Sequence, residues 1–283
     1  MEHIEIFNNK YHLQGISSDG EYMYWSNTDT IVKSTIGGSP RVQVEIFGGH
    51  LGDCDVYDGR LYVTYLGNAL PGHPWGDWTS FYVYVFDTTD LSLVKKIRLD
   101  ECYKFWDEKN NSPSDTRGFN GVDGTCIAPD PDGGEMRLFL ACGIVPDPKY
   151  TSNVILKYSL EGEFLGEYRF PCGNTDLGIQ NLDYDADAGE FWFTTYGRRL
   201  DFQEKDTLWC VSGDLKQIKR RYCFQTGVGF HCAGGGEFWA TAQWGEKWKK
   251  CAVAYRCKEE FFQKERSERE IIELVTGKVF VQF

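Results

Sequence analysis

Residues 178–197 read GIQNLDYDADAGEFWFTTYG: polar side chains on a small, mostly apolar background, a tight step at Gly189, then the alternating aromatic run Phe191-Trp192-Phe193. The same order recurs four more times, as HLQGISSDGEYMYWS from His12, HLGDCDVYDGRLYVTYLG from His50, GVDGTCIAPDPDGGEMRLFLACG from Gly121 and GVGFHCAGGGEFWATAQW from Gly227. A unit that cannot bury its own apolar face must stack on copies of itself, so this repetition decides the architecture.

Each copy opens with a strand, turns at Asp19-Gly20, Asp58-Gly59, Gly133-Gly134, Gly189 or Gly234-Gly235-Gly236, and continues as an aromatic strand. Two further strands usually follow, as in SFYVYVFDTTDLSLVKKIRL, SNVILKYSLEGEFLGEYRF and DTLWCVSGDLKQIKRRYCF. Four strands per unit, repeating at roughly 40 to 60 residues, is the pattern of a propeller blade. The sequence therefore predicts an all-β, five-bladed β-propeller: one domain over residues 1–283, with blades at 12–47, 48–99, 118–171, 176–225 and 227–283. The N-terminal strand in MEHIEIF (1–7) and the C-terminal strand GKVFVQF are expected to close the ring together, which removes an exposed sheet edge. KEEFFQKERSEREIIEL from Lys258 reads as a charged helix or helical insertion before that closing strand.

Composition bounds the function classes. A chain of 283 residues, 41% hydrophobic and 16% aromatic, buries a large core. No apolar run approaches the roughly 18 residues of a membrane span, and the formal charge of −12 argues against nucleic acid or an anionic membrane as partner. The start lacks a basic segment followed by an apolar one, so the default expectation is a cytoplasmic protein unless a leader has been removed. The ten cysteines are scattered singly, without a C-x-x-C pair, and read as reduced structural thiols. The chain alone gives no reading of oligomeric state.

Laid over one another by their turns, the first strands bring Gln14, Asp53, Asp123 and Gln180 to similar places, with His231 displaced by one. The first strand of a blade lines the central channel, so one register from every blade forms a ring. His12 and His50 lie just before the ring positions, and Asn120 and Asn181 lie near them. Imidazole, carboxylate and amide oxygens converging on one axis suit Mn²⁺, Mg²⁺, Ca²⁺ or Zn²⁺ better than a thiolate-loving metal. They equally suit ordered water, as expected in a narrow polar channel. The candidate metal ligands are Gln14, His50, Gln180 and His231, and the candidate catalytic residues are His12, His50, Asp53 and Asp123.

Two long insertions, LGNALPGHPWGDWTS and DECYKFWDEKNNSPSDTRGFN, are expected over one channel mouth. The first carries Trp75 and Trp78, a candidate sugar-stacking platform, and His73, read as an exposed loop residue. Arg117, Arg198 and Arg199 are candidates to hold a substrate carboxylate, with Asn181 completing the substrate-binding set. The Asp-rich turn DPDGGE from Asp130 lacks the ligand spacing of a calcium loop and reads as a plain turn.

By this repeat architecture nearly the whole chain resembles the five-bladed β-propeller class. That class includes furanosidase-type glycoside hydrolases, calcium-dependent nucleotidases, a glutaminyl cyclase group and lectins. His12, Gln14, His50, Gln180 and His231 are also similar in kind to the metal-holding channel residues of oligogalacturonate-lyase-like enzymes, which are larger propellers. The resemblance implies a carbohydrate-active enzyme acting on a small-molecule or oligosaccharide substrate at the channel mouth. As a lyase, a metal on His50, His231 and Gln180, with Gln14, would neutralise a sugar carboxylate while His12 takes the adjacent proton; as a hydrolase, Asp53 and Asp123 would be the acid and base. The alternative is a propeller that binds a glycan or a protein without catalysis, through Trp75 and Trp78. Fold alone does not choose between them.

Overall fold

Alternation along the second strand of each repeat sends side chains to both faces of every sheet. Leu61 and Val63 enter the apolar cluster between the first and second sheets, while Tyr62 enters the next cluster. Phe191 and Phe193 likewise face one neighbour and Trp192 the other. A sheet with two apolar faces can be buried only between two other sheets, and a closed ring supplies both neighbours.

The computed structural model describes residues 1–283 apart from 47, 69–77, 104–105, 108–111, 114–117, 145–146, 148, 174, 176, 197–206, 225–227 and 279–283. It is an all-β, five-bladed β-propeller of five antiparallel four-stranded sheets. Blade 1 is β2 (Leu13–Ser18), β3 (Tyr22–Asn27), β4 (Thr30–Thr35) and β5 (Pro40–Glu45). Blade 2 is β6 (Gly49–Tyr57), β7 (Arg60–Gly67), β8 (Ser80–Asp87) and β9 (Leu93–Arg98). A short helix α1 (Asp100–Tyr103) and a two-stranded ribbon, β10 (Trp106–Asp107) with β11 (Ser112–Pro113), precede blade 3. Blade 3 is β12 (Phe119–Pro129), β13 (Met136–Ile144), β14 (Asn153–Tyr158) and β15 (Phe164–Phe170), and blade 4 is β16 (Ile179–Asp185), β17 (Glu190–Thr195), β18 (Thr207–Ser212) and β19 (Ile218–Cys223).

Blade 5 holds β20 (Phe230–Gly234), β21 (Glu237–Trp244) and β22 (Lys250–Lys258), and its fourth strand is β1 (His3–Asn9) from the N-terminus. His3 to Ile6 pair with Tyr255 back to Ala252, so the two ends of the repeat array are hydrogen-bonded into one sheet. The C-terminal part of the expected closing strand, residues 279–283, lies outside the described residues. The charged segment after Lys258 forms a 3₁₀ turn (Glu259–Gln263) and helix α2 (Glu268–Thr276). Ser267 caps α2 reciprocally with Glu270, and Gly277 ends it in the left-handed conformation. Ile271, Ile272 and Val275 are buried against the cluster between blades 4 and 5, so this segment has an apolar stripe beneath its charges.

One apolar cluster fills each of the five blade junctions. The ten cysteines form no disulfide, and seven are buried, five of them (Cys54, Cys126, Cys142, Cys210 and Cys257) as small apolar residues in packed strands. The Asp130 turn is held by its own backbone and by Lys157 and Arg137, whose cations pair with its carboxylate.

Candidate functional site at the propeller axis

The innermost strands set two faces. Turns such as Asp58-Gly59 lie at the end of β6 where Tyr57 pairs with Arg60, whereas the connections to neighbouring strands and blades leave from the opposite end, where His50 pairs with Leu66. One axis mouth therefore carries tight turns and the other carries the long connections.

Pairing with the second strand fixes which axial residues share a level. Tyr24, Tyr62, Phe139, Trp192 and Trp239 occupy matching places, each facing the following blade, and their partners are Ser17, Asp55, Cys126, Asp183 and His231. Three residues earlier come Gln14, Gly52, Asp123, Gln180 and Val228. The innermost strands of blades 1 to 4 have register breaks beside that level, at Leu13/Gly15, Leu51/Cys54, Val122/Thr125 and Ile179/Asn181. Overlaying the copies by their turns groups Gln14, Asp123 and Gln180 as the structure does. It misplaces Asp53 by one residue, because Gly52 holds that level in blade 2. His231 lies three residues further along, about 10 Å at about 3.3 Å per residue.

Asp53 stands between the two levels and crosses the axis. Its Oδ2 accepts the backbone N–H of Thr125 in blade 3 at 3.3 Å and of Leu182 in blade 4 at 3.0 Å. Blade 1 makes room with Gly15, where a Cβ would stand 2.1 Å from Asp53 Oδ1. Burial pushes this carboxyl well above the usual range despite those bonds. Asp53 is 1% exposed, so the candidate hydrolytic carboxylate is a bolt holding blades 2, 3 and 4 rather than a group at a mouth. Asn181 is equally enclosed: Nδ2 donates to Gln14 O at 2.7 Å across the axis, and Oδ1 accepts from Thr194 Oγ1 at 3.1 Å.

At the turn-side mouth Asp55, Asp183 and His231 offer ligand atoms within 4.8 Å of one another. Asp55 accepts Ser17 Oγ and the Ile127 N–H, tying blades 1, 2 and 3. Asp183 Oδ2 accepts both His231 Nδ1 and the Cys232 N–H at 2.8 Å. Burial pulls the His231 pKa down, but the charge and hydrogen bond of Asp183, then Asp55, hold it above the ordinary value. Burial foremost, then the Asp183 charge, lifts Asp55 to about 7. With His231 Nδ1 and both carboxylates engaged in bonds between blades, the trio is spatially suited to an ion but already occupied as an ion-pair belt. Beside it opens a cleft of about 400 Å³ lined by Asp19, Tyr184, Asp187, His231, Trp239 and Arg256.

The loop-side mouth holds the other candidates. His12 donates from Nδ1 to Leu13 O at 3.1 Å, which leaves Nε2 as an acceptor 3.1 Å from Gln14 Nε2. Gln14 also donates to Thr28 Oγ1 at 3.2 Å. His50 stacks on Trp78, centroids 5.9 Å apart, and its Nδ1 is buried without a hydrogen-bond partner. Burial, then the neighbouring His12, lowers the His50 pKa to about 4, and burial lowers that of His12. Asp123 is raised to about 7 by burial, against a hydrogen bond from Gln180. Its Oδ1 lies over Gly52, where a Cβ would come within 2.5 Å.

The structure thus brings His12, Gln14, His50, Asp123, Gln180 and Trp78 to one mouth and leaves His231 at the other, beyond the Asp53 bolt. A single metal on His50, Gln180 and His231 does not fit this geometry. Trp75, Arg117, Arg198 and Arg199, together with His73, lie outside the described residues. Asp55 and Asp183 escaped the sequence reading, although the i, i+2 spacing in DCD and NLDYD was the available sign that two carboxylates share one strand face.

No family model and no curated protein matches the chain. Among solved structures, the PQQ-bound aldose sugar dehydrogenase of Streptomyces coelicolor aligns over 89% of this chain and 98% of that one, at 12% identity and a TM-score of 0.50. A glutaminyl cyclase from Myxococcus xanthus aligns over 90% and 97%, at 11% identity and a TM-score of 0.49. A Bacteroides caccae protein of unknown function is matched over 74% of this chain at 8% identity and a TM-score of 0.40; the chain spans 60% of that protein's length. The likeness to the sugar dehydrogenase carries the fold alone and leaves the reaction to the residues.

Proposed function

We propose that the protein is a carbohydrate-active enzyme, a lyase or hydrolase, working at the loop-side mouth with His50 as base and Asp123 as acid. The observation that carries this reading is the buried, unpartnered Nδ1 of His50 on a ring clamped by Trp78. A buried ring nitrogen without a partner is a place where a ligand group would complete the hydrogen bonding, and on the axis it shares that state with Asp53 Oδ1, which lies enclosed among the blades. Burial keeps the imidazole neutral, as a base must be, while the Asp123 carboxyl at about 7 keeps a large share of its proton near neutrality, as an acid must. Gln14 and Gln180 flank the pair with amide groups that match sugar hydroxyls, and His12 supplies a second neutral imidazole.

Proton transfer runs from the substrate to the His50 imidazole and from Asp123 to the departing oxygen. The same pair serves elimination, where His50 takes a carbon-bound proton, or hydrolysis, where it takes one from water. A divalent ion at this mouth would draw on His50, Gln14 and Gln180, a set with one imidazole and two amides; the acid–base reading routes no step through it. The test is an oligosaccharide screen with mass analysis of the fragments. Added water marks hydrolysis and its absence marks elimination. His50→Gln and Asp123→Asn should each lose about 10²-fold or more in turnover while binding persists. Binding without turnover in the wild type would favour the non-catalytic alternative.

A further inference from the structure

Half-buried Tyr11 and exposed Trp248 form an aromatic pair beside the loop-side mouth, with ring centroids 6.3 Å apart. The Lys10 ammonium lies 4.9 and 4.8 Å from the two centroids, and that of Lys247 lies 4.9 and 5.9 Å from them. Trp248 is 60% exposed and has φ of 72°. A bulky L residue holds left-handed backbone at a cost of about 1 kcal/mol or more, and this one recovers little by burial. The strain is fixed in place, because Trp248 N–H donates to Lys10 O at 2.8 Å.

The turn reads GEKWKK over residues 245–250. Lys10 pairs with Asp29 at 3.2 Å, and Glu246 opposes its neighbours. No ion pair holds Lys247, Lys249 or Lys250 among the described residues, so three lysines face one glutamate on a chain of net charge −12. The turn also adjoins the mouth. It connects β21 to β22, and Gln243 on β21 accepts the N–H of Leu13, the residue after His12. Lys250 acts on the His12 imidazole through its charge.

We propose that Tyr11, Trp248, Lys247, Lys249 and Lys250 bind an anionic glycan chain whose end enters the loop-side mouth. Flat aromatic faces suit sugar rings, ammonium groups suit carboxylate or sulfate substituents, and the strip leads to His12 and His50. This rests on the carbohydrate reading above and names the substrate class for it.

The test measures binding of the intact protein to dextran, carboxymethyl-dextran and dextran sulfate oligomers of equal length, at low and at physiological salt. The expected result is binding to one or both anionic forms and not to dextran, weakened by salt. Preference between the two anionic probes identifies carboxylate or sulfate. Trp248→Ala should weaken binding about five- to tenfold, and Lys247→Glu with Lys249→Glu about tenfold or more, while Lys216→Glu on the opposite face changes nothing. Equal binding to dextran, indifference to the turn variants, or capture only by phosphatidylserine vesicles would overturn the proposal. If anionic chains bind at the turn but none is cleaved, the surface stands and the enzymatic reading falls. Cleavage of neutral glycans, unaffected by the turn variants, gives the reverse.

Discussion

His231 donates from Nδ1 to Asp183 Oδ2 at 2.8 Å, and the same oxygen accepts the Cys232 N–H at 2.8 Å, so one carboxylate fastens blade 5 to blade 4 twice. The repeat array closes inside blade 5, where β1 pairs with β22, and this ion pair fastens the innermost strand of that composite blade to blade 4.

That bracing should depend on pH. His231 has its folded pKa raised, so the stability it contributes is fully present below its ordinary value of about 6.5 and is lost as pH rises through the folded value. Asp55, raised from its ordinary 3.8 to about 7 by burial and the Asp183 charge, works in the same direction, its share of stability falling as pH rises between those two values and levelling off above them. His231→Gln should cost about 3 kcal/mol at pH 6 and clearly less at pH 9, read as a gap in Tm that narrows with rising pH. A gap that widens above pH 7 would show that the pair is not an imidazolium–carboxylate bond.

Gly15 and Asp53 test the axial bolt. In Gly15→Ala the new methyl would stand 2.1 Å from Asp53 Oδ1 and 2.7 Å from Asp53 Cα, so about 3 kcal/mol of stability should be lost by chemical denaturation. Asp53→Ala should cost more than Asp53→Asn, because alanine orphans the Thr125 and Leu182 N–H groups at about 1–3 kcal/mol each, while asparagine keeps a carbonyl acceptor. Gly15→Ala with Asp53→Ala should destabilise less than the sum of the two, since the carboxylate clash is then gone. Strict additivity would mean that the two residues do not meet.

Helix α2 offers a third measurement. Ser267→Ala removes the reciprocal cap and should cost about 1 kcal/mol, whereas Ile271→Ala, emptying a fully buried site in the cluster that also holds Phe262 and Tyr255, should cost about 3 kcal/mol. If both changes are neutral, the helix is not part of the cooperative fold.

The blades were legible because strand alternation and turn glycines are local signals, repeated five times. Asp123 and Gln180 were legible for the same reason, as polar residues at one distance from a turn. Asp53 was not, because the register break at Leu51/Cys54 shifts blade 2 by a residue, and only the cross-axis bonds to Thr125 and Leu182 reveal what its carboxylate does. His231 was assigned to the ring through the glycines of blade 5, which carry no side chains to fix a register, whereas its pairing with Trp239 sets its level. The patch at Trp248 escaped because its meaning depends on Lys10 and Tyr11 arriving from the other end of the chain.

Catalysis should follow the two loop-side titrations. His50 must be neutral to accept a proton, and its pKa near 4 places the acidic limb of the rate profile there. Asp123 must be protonated to donate, and its pKa near 7 places the alkaline limb there. With an oligosaccharide substrate in hand, kcat/KM should form a bell between about 4 and 7, with the free-enzyme groups setting both limbs. Asp123→Asn should flatten the alkaline limb along with its large loss of rate, because the remaining amide does not titrate. His12→Asn should leave the alkaline limb in place and move the acidic limb upward, because the neighbouring His12 is one of the two causes that lower the His50 pKa. An alkaline limb that survives Asp123→Asn unchanged would remove Asp123 from the acid role and return the assignment to the remaining groups of that mouth.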